Sequence, residues 1–144
     1  MNINSKIRLN NGVEMPLFGL GVYRAPSGTV TLNAIQHALD AGYRLIDTAK
    51  IYRNERTVGE AIRKSSIPRE ELFITTKLWN SDHGYESTIA ACKESLKQLD
   101  LSYIDLYLIH WPVQGLRGEP WKAMEYLLEE GKCLAIGVSN YMIH

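Results

Sequence analysis

Charge of one sign is what this sequence most clearly lacks. Lysine and arginine number 16, aspartate and glutamate also number 16, over 144 residues. Without a net positive field nothing gathers nucleic acid or an anionic membrane by bulk attraction, so neither is expected as a partner. Long apolar runs are missing as well: no segment approaches the roughly 20 apolar residues that cross a bilayer. Met1 to Gly12 is polar and mixed in charge, unlike the apolar core of a signal peptide. Cysteine is scarce, with Cys92 and Cys133 the only two. They are far apart in the chain and set in apolar patterns, so buried thiols are expected rather than a disulfide or a metal site. A reducing cytoplasm fits these absences. There is no low-complexity run, no linker and no sequence repeat, and the length suits one domain, 1–144.

What is present is an alternation of two periodicities. Lys6 to Leu9 and Val13 to Met15 flank Asn10-Asn11-Gly12, which predicts a tight N-terminal hairpin. Short apolar strands follow at Leu17 to Leu20, Arg44 to Ile46, Leu72 to Thr76, Ile104 to Ile109 and Cys133 to Val138, and their composition predicts burial on both faces. Between them, single apolar stripes at helical spacing run through Leu32, Ile35 and Leu39; Val58, Ala61 and Ile62; Ile89, Cys92, Leu96 and Leu99; and Trp121, Met124 and Leu128. Gly42 and Gly131 stand where left-handed helix caps are needed, and Pro68 follows the second helix. Strand and helix in strict alternation predict a mainly parallel sheet, leaving a doubly wound sheet and a (β/α)8 barrel as the candidate architectures.

In either architecture the strands' carboxyl ends open onto one shared face, and functional groups gather there. Reading off those ends gives Asp47, Lys77, His110, and Ser139 with Asn140; Tyr52 lies one short loop beyond Asp47. Ionisable groups directly after buried runs are costly to desolvate, so they are expected to pair with one another or to be used. Lys77 beside Asp47 would stay charged, and beside Tyr52 it would lower a phenol pKa that starts at about 10. Tyr52 could then give a proton to a carbonyl oxygen that His110 orients by a hydrogen bond. None of these groups carries a hydride, so a nicotinamide cofactor is implied, with Ser139 and Asn140 offering the hydroxyl and amide to hold its carboxamide. Trp79, Trp111 and Tyr23 are positioned to wall an apolar pocket.

Competing motifs fail on inspection. Gly19 and Gly21 begin a dinucleotide fingerprint that Arg24 breaks. Ser139 with His110 and Asp47 lacks the second glycine of a nucleophile elbow and leaves Lys77 and Tyr52 idle. His37, His83 and His144 show no metal-ligand spacing and are expected in solvent. Trp121, sharing a stripe with Met124 and Leu128, is expected in the core.

The ordered set Asp47-Thr48-Ala49 with Tyr52 and Asn54-Glu55, then Thr76-Lys77-Leu78-Trp79, Leu108-Ile109-His110-Trp111-Pro112, and Ile136-Gly137-Val138-Ser139-Asn140 resembles the aldo-keto reductases along essentially the whole chain. The stretch Lys77 to Glu86 is most similar to glyoxal reductase and prostaglandin F synthase type members. The resemblance implies an α/β fold, the N-terminal portion of a (β/α)8 TIM barrel with an N-terminal β-hairpin and about five barrel strands. It further implies reduction of aldehydes or ketones with NADPH. Tyr52 would be the general acid, Lys77 and Asp47 would tune it, and His110 would orient the substrate. Ser139, Asn140, Asp47, Val22 and Tyr23 would meet the cofactor, and Trp79, Trp111, His110 and Tyr23 the small-molecule carbonyl substrate. Two positions depart from the family pattern: Val22 stands where threonine is common, and Arg56 where a second glutamate is common. A full barrel takes about 250 residues, so the barrel is expected to be incomplete, with later cofactor-gripping loops outside the chain. An open edge and an uncovered apolar face would follow, leaving room for self-association or completion by another chain. The alternative is a non-catalytic remnant that binds a protein through that surface.

Overall fold

The computed structural model describes residues 2–142. The first two strands, β1 (Lys6–Arg8) and β2 (Glu14–Pro16), pair antiparallel with Ile7 opposite Met15. The Leu9 amide donates to the Val13 carbonyl and the Gly12 amide to the Leu9 carbonyl, with Gly12 at φ 90°. The expected hairpin is therefore closed by a three-residue connection whose last residue takes the left-handed conformation that glycine tolerates. Asn11 Nδ2 donates to the Leu134 carbonyl at 2.9 Å, fastening the hairpin tip near the start of the last strand.

The remaining strands form one parallel sheet in sequence order: β3 (Gly19–Gly21), β4 (Leu45–Asp47), β5 (Phe73–Leu78), β6 (Ile104–Ile109) and β7 (Cys133–Val138). They alternate with α1 (Thr29–Asp40), α2 (Glu55–Lys64), α3 (Tyr85–Leu99) and α4 (Gly118–Glu129). Gly42 (φ 97°) and Gly131 (φ 68°) sit just past α1 and α4 in the left-handed region, as the capping pattern requires. β5 is buried along its whole length, since it has a neighbour on both sides and helices behind it. Burial on both faces does not extend to the margins: Gly19 and Gly21 on β3 and Leu134 and Val138 on β7 are exposed. Each of these two strands has a sheet neighbour on one side only.

The core lies between sheet and helices, built from Ile35, Ile46, Val58, Ile74, Leu78, Leu99, Ile104, Tyr107, Ile109 and Met124, all essentially inaccessible. Along α4 the buried stripe is Ala123, Met124 and Leu127, while Trp121 and Leu128 are only half-buried. Met124 belongs to both sets, but the helix turns so that Leu127 rather than Leu128 points inward. Trp121 packs against the core from this half-buried position and donates its indole N–H to Glu125 at 3.0 Å. Cys92 on α3 and Cys133 at the start of β7, distant in sequence, bring their Sγ atoms to 3.8 Å as free buried thiols. Among the described residues no helix is long and apolar enough to cross a membrane.

Candidate active site

The five parallel strands deliver their carboxyl ends to one rim. Asp47 is the last residue of β4, His110 follows β6, and Ser139 follows β7 with its amide donating to the Ile109 carbonyl at 2.8 Å. Lys77 lies one residue inside β5 rather than after it, because pairing of β5 with β6 continues through Lys77 opposite Leu108 and Leu78 opposite Ile109. Tyr52 ends a short 3-10 turn, Lys50–Tyr52, and Arg53 leaves that turn at φ 57°. Of the residues singled out from the sequence, all but Val22 line a single cleft of about 470 Å³, joined by Ile51.

Val22 belongs to the core instead. Its side chain is 2% exposed, its amide donates to the Asp47 carbonyl at 3.0 Å, and its carbonyl accepts from Asn54 Nδ2 at 2.9 Å. An apolar β-branched side chain beside a packed strand end is better placed in the core than against a polar ligand. Ile51 escaped the sequence reading because an isoleucine beside a tyrosine carries no chemical signal. Asn54 was visible as part of a motif, but its task was not: it is fully buried, donates to the Val22 and Ala25 carbonyls (2.9 and 3.0 Å) and accepts from Thr48 Oγ1 at 2.6 Å. It ties the Tyr52 segment to the loop after β3. Behind it, Thr76 Oγ1 donates to Glu55 at 2.6 Å, and burial raises the Glu55 carboxyl above its ordinary pKa.

Lys77 Nζ is shared between Asp47 Oδ1 at 2.6 Å and the Thr48 carbonyl at 2.8 Å, with the lysine side chain only 8% exposed. The ammonium also stands 5.2 Å from the centre of the Tyr52 ring. The expected lowering of the Tyr52 pKa does not follow. Burial, the largest cause, raises it, and both the Asp47 carboxylate, which is in contact with the ammonium, and Tyr23 push the same way. Tyr52 is thus held as a protonated phenol.

His110 meets Tyr52 edge-on at 5.6 Å and Trp79 edge-on at 5.4 Å. Its pKa lies below the usual histidine value, chiefly through burial and further through Lys77, against an opposing effect of Asp47. The ring is neutral near neutrality, and Nδ1 is enclosed without a partner. Placing the single proton on the other nitrogen, Nε2, avoids stranding an N–H at the enclosed atom. Asn140, at φ 63°, donates Nδ2 to the His110 carbonyl at 2.8 Å and to Ser139 Oγ at 3.0 Å, so its amide links the loops after β6 and β7. Tyr23 (63% exposed) and Trp111 (46% exposed) form open walls, with the Tyr23 ring 5.1 Å from that of Tyr52 and tilted 52° to it.

Other histidines lie elsewhere. His37 is exposed, as expected. His83 is buried, not solvated: both ring nitrogens are enclosed without partners, and burial lowers its pKa. His144 lies outside the described residues. Among the described residues no cluster of potential metal ligands occurs.

A parallel strand–helix alternation with Asp, Tyr, Lys and His converging at the carboxyl rim defines an α/β barrel half with a polar cleft. Comparison with known proteins agrees. Residues 18–144 match the model of the Aldo/keto reductase family. The chain is 57% identical over 145 residues to the 9,11-endoperoxide prostaglandin H2 reductase of Trypanosoma cruzi, covering 100% of this chain and 51% of that protein. It is 50% identical over 143 residues to the glyoxal reductase of Bacillus subtilis, covering 99% and 52%. The solved aldo-keto reductase of Bombyx mori in complex with NADP superposes with TM-score 0.85 at 40% identity, covering 96% of this chain and 51% of that one. The chain therefore belongs to the aldo/keto reductase family. Its sheet is an incomplete (β/α)8 barrel, and it spans about half the length of the relatives it matches.

Proposed function

We propose that this chain carries the proton-donating part of a carbonyl reductase site, converting aldehydes or ketones to alcohols with NADPH. The observation that carries the reading is the cleft itself, where Tyr52, His110 and a Lys77–Asp47 ion pair face one space of about 470 Å³. A bound nicotinamide supplies a hydride to the carbonyl carbon. The donor set fits the nicotinamide end of such a cofactor: Ser139 has a hydroxyl and Asn140 an amide oxygen on the cleft wall. Among the described residues Lys77 is the only lysine or arginine in the lining, and its charge is committed to Asp47, so these residues offer no free cation for the cofactor's phosphates.

The rest of the chemistry belongs to the side chains. His110 donates Nε2–H to the carbonyl oxygen and directs it toward Tyr52. As negative charge grows on that oxygen, the Tyr52 hydroxyl releases its proton to it, and the phenolate left behind faces the Lys77 ammonium. A phenol is protonated near neutrality, and the developing alkoxide is the more basic oxygen, so the proton moves toward it. A cytoplasmic location, supported by two buried unpaired thiols, belongs to the same proposal.

Fluorescence titration of the purified chain with NADPH tests the reading, followed by monitoring of NADPH consumption with a small dicarbonyl. Saturable binding with aldehyde-dependent consumption is the expected result. A folded chain that neither binds nor consumes NADPH contradicts it.

A further inference from the structure

The proposed proton donor sits on a short turn whose backbone bonds are all local. Within the Lys50–Tyr52 turn the Tyr52 amide donates to the Ala49 carbonyl (2.9 Å), and the Arg53 amide to the Lys50 carbonyl (3.2 Å); both bonds are local. The flanks are pinned, by Lys77 on the Thr48 carbonyl before the turn and by buried Asn54 after it. The turn itself leaves through Arg53 in a left-handed conformation that a residue with a side chain adopts at a cost of about 1 kcal/mol. Among the described residues, one bond ties the turn to another element: Lys50 Nζ to Asp82 Oδ2 at 2.6 Å.

The receiving end of that bond is itself fixed. The Asp82 amide donates to the Trp79 carbonyl at 3.0 Å, and the Asp82 carbonyl accepts from Ser87 Oγ at 2.9 Å and Thr88 Oγ1 at 3.1 Å. Thr88 is fully buried in the first turn of α3. Asp82 is therefore anchored to the turn that starts at Trp79 and to a packed helix. The pair is also shielded, with side chains 35% and 19% exposed, against 56% and 45% for the surface pair Lys64–Glu60. Exposed pairs of the latter kind contribute little, whereas a short charge-assisted bond in a shielded setting holds its geometry.

Neither Lys50 nor Asp82 lines the cleft, so they act through their neighbours. We propose that Lys50 and Asp82 are positioning residues, a clamp that sets the separation of Tyr52 and Trp79, both of which meet the His110 ring edge-on. This rests on the reading of Tyr52 as proton donor only for its kinetic consequence; the geometric claim stands apart from turnover. A donor misplaced by about 1 Å loses up to about 100-fold in rate. Release of this tether, with the flanks still pinned, is expected to lower kcat roughly tenfold and leave KM almost unchanged.

Histidine ring protons in the NMR spectrum of the full chain give the test, because His110 feels ring currents from both Tyr52 and Trp79. Its signals are identified by their loss in His110→Asn. At one pH above the histidine range, Lys50→Gln and Asp82→Asn, which break the pair from opposite sides, are each expected to shift the His110 signals. Lys50→Arg, which keeps charge and donor, returns them to near the parent position, and Lys64→Gln leaves them in place. His110 signals unmoved by both neutral variants, or moved as far by Lys50→Arg as by Lys50→Gln, would overturn the clamp. The spectrum requires neither cofactor nor turnover, so failure of the reductase reading shows separately, as a parent chain that does not consume NADPH.

Discussion

Replacing Asn54 with alanine is expected to destabilise the chain by about 3–5 kcal/mol. The Asn54 side chain has no exposure to solvent and makes three hydrogen bonds, to the Val22 and Ala25 carbonyls and from Thr48 Oγ1. Three partners are left unpaired, each at a cost of about 1–3 kcal/mol, which sums to about 3–9 kcal/mol. Relaxation of the two carbonyls toward the open side of the β3 loop keeps the sum near the lower end of what those figures allow. The loss is a large share of the about 5–15 kcal/mol that holds a typical domain together. Asn54→Asp is the sharper variant. It preserves size and the acceptor for Thr48, but turns a carboxylate oxygen toward two carbonyl oxygens, so it is expected to be worse than alanine. Urea denaturation followed by tryptophan fluorescence reads both, through the midpoint at an unchanged slope. An Asn54→Ala midpoint equivalent to less than about 0.5 kcal/mol, the range of an ordinary surface substitution, would refute the reasoning. So would an aspartate variant more stable than the alanine one.

Three further outcomes follow from the same geometry. The Tyr107 hydroxyl is buried without a partner in a fully enclosed side chain, so Tyr107→Phe is expected to leave stability unchanged or raise it by about 1 kcal/mol; a clear loss in thermal unfolding would show that a partner exists. A Cβ at Gly59 would stand 2.1 Å from the Leu99 carbonyl oxygen, so Gly59→Ala is expected to cost about 2 kcal/mol despite alanine's better helix propensity of about 1 kcal/mol, read by the same denaturation. His110 is expected to titrate below 6.5 by NMR. Because the folded value lies below the unfolded one, its contribution to stability is complete above about pH 6.5 and is lost as pH falls through the folded value. Lys77→Met is expected to move that titration back up, since it removes a repelling charge and frees Asp47.

Much of the architecture was legible because the signals were periodic. β6 and β7 fall where their apolar runs begin and end, and the stripes on α1, α2 and α3 face the core as read. Where one residue's rotation decides the outcome, pattern was insufficient: on α4, Leu127 and Leu128 are equally apolar, and packing against the sheet selects the first. Burial of the sheet margins could not be read at all, since it depends on how many neighbours a strand has. At the site, strand-end position brought out Asp47, Lys77, His110 and Ser139 because charged or hydroxyl groups after apolar runs are conspicuous. Val22 was placed at the site through the family resemblance alone, which carries no information on side-chain direction; its side chain packs in the core while Tyr23 beside it reaches the cleft. The direction of the Tyr52 shift could not be read from the sequence because its largest cause is burial, with the Asp47 carboxylate acting the same way. The approach of Cys92 to Cys133, and the enclosure of His83, depend on tertiary contacts with no sequence signature.

The central claim is that the Tyr52 hydroxyl delivers the proton in carbonyl reduction. Its most direct test is the rate of NADPH-dependent aldehyde reduction by Tyr52→Phe beside the parent chain, with NADPH affinity measured on both. Loss of one general acid lowers the rate by about 10²–10⁴-fold, and the account predicts a fall of that size with affinity nearly unchanged. Reduction at the parent rate by the phenylalanine variant would contradict it.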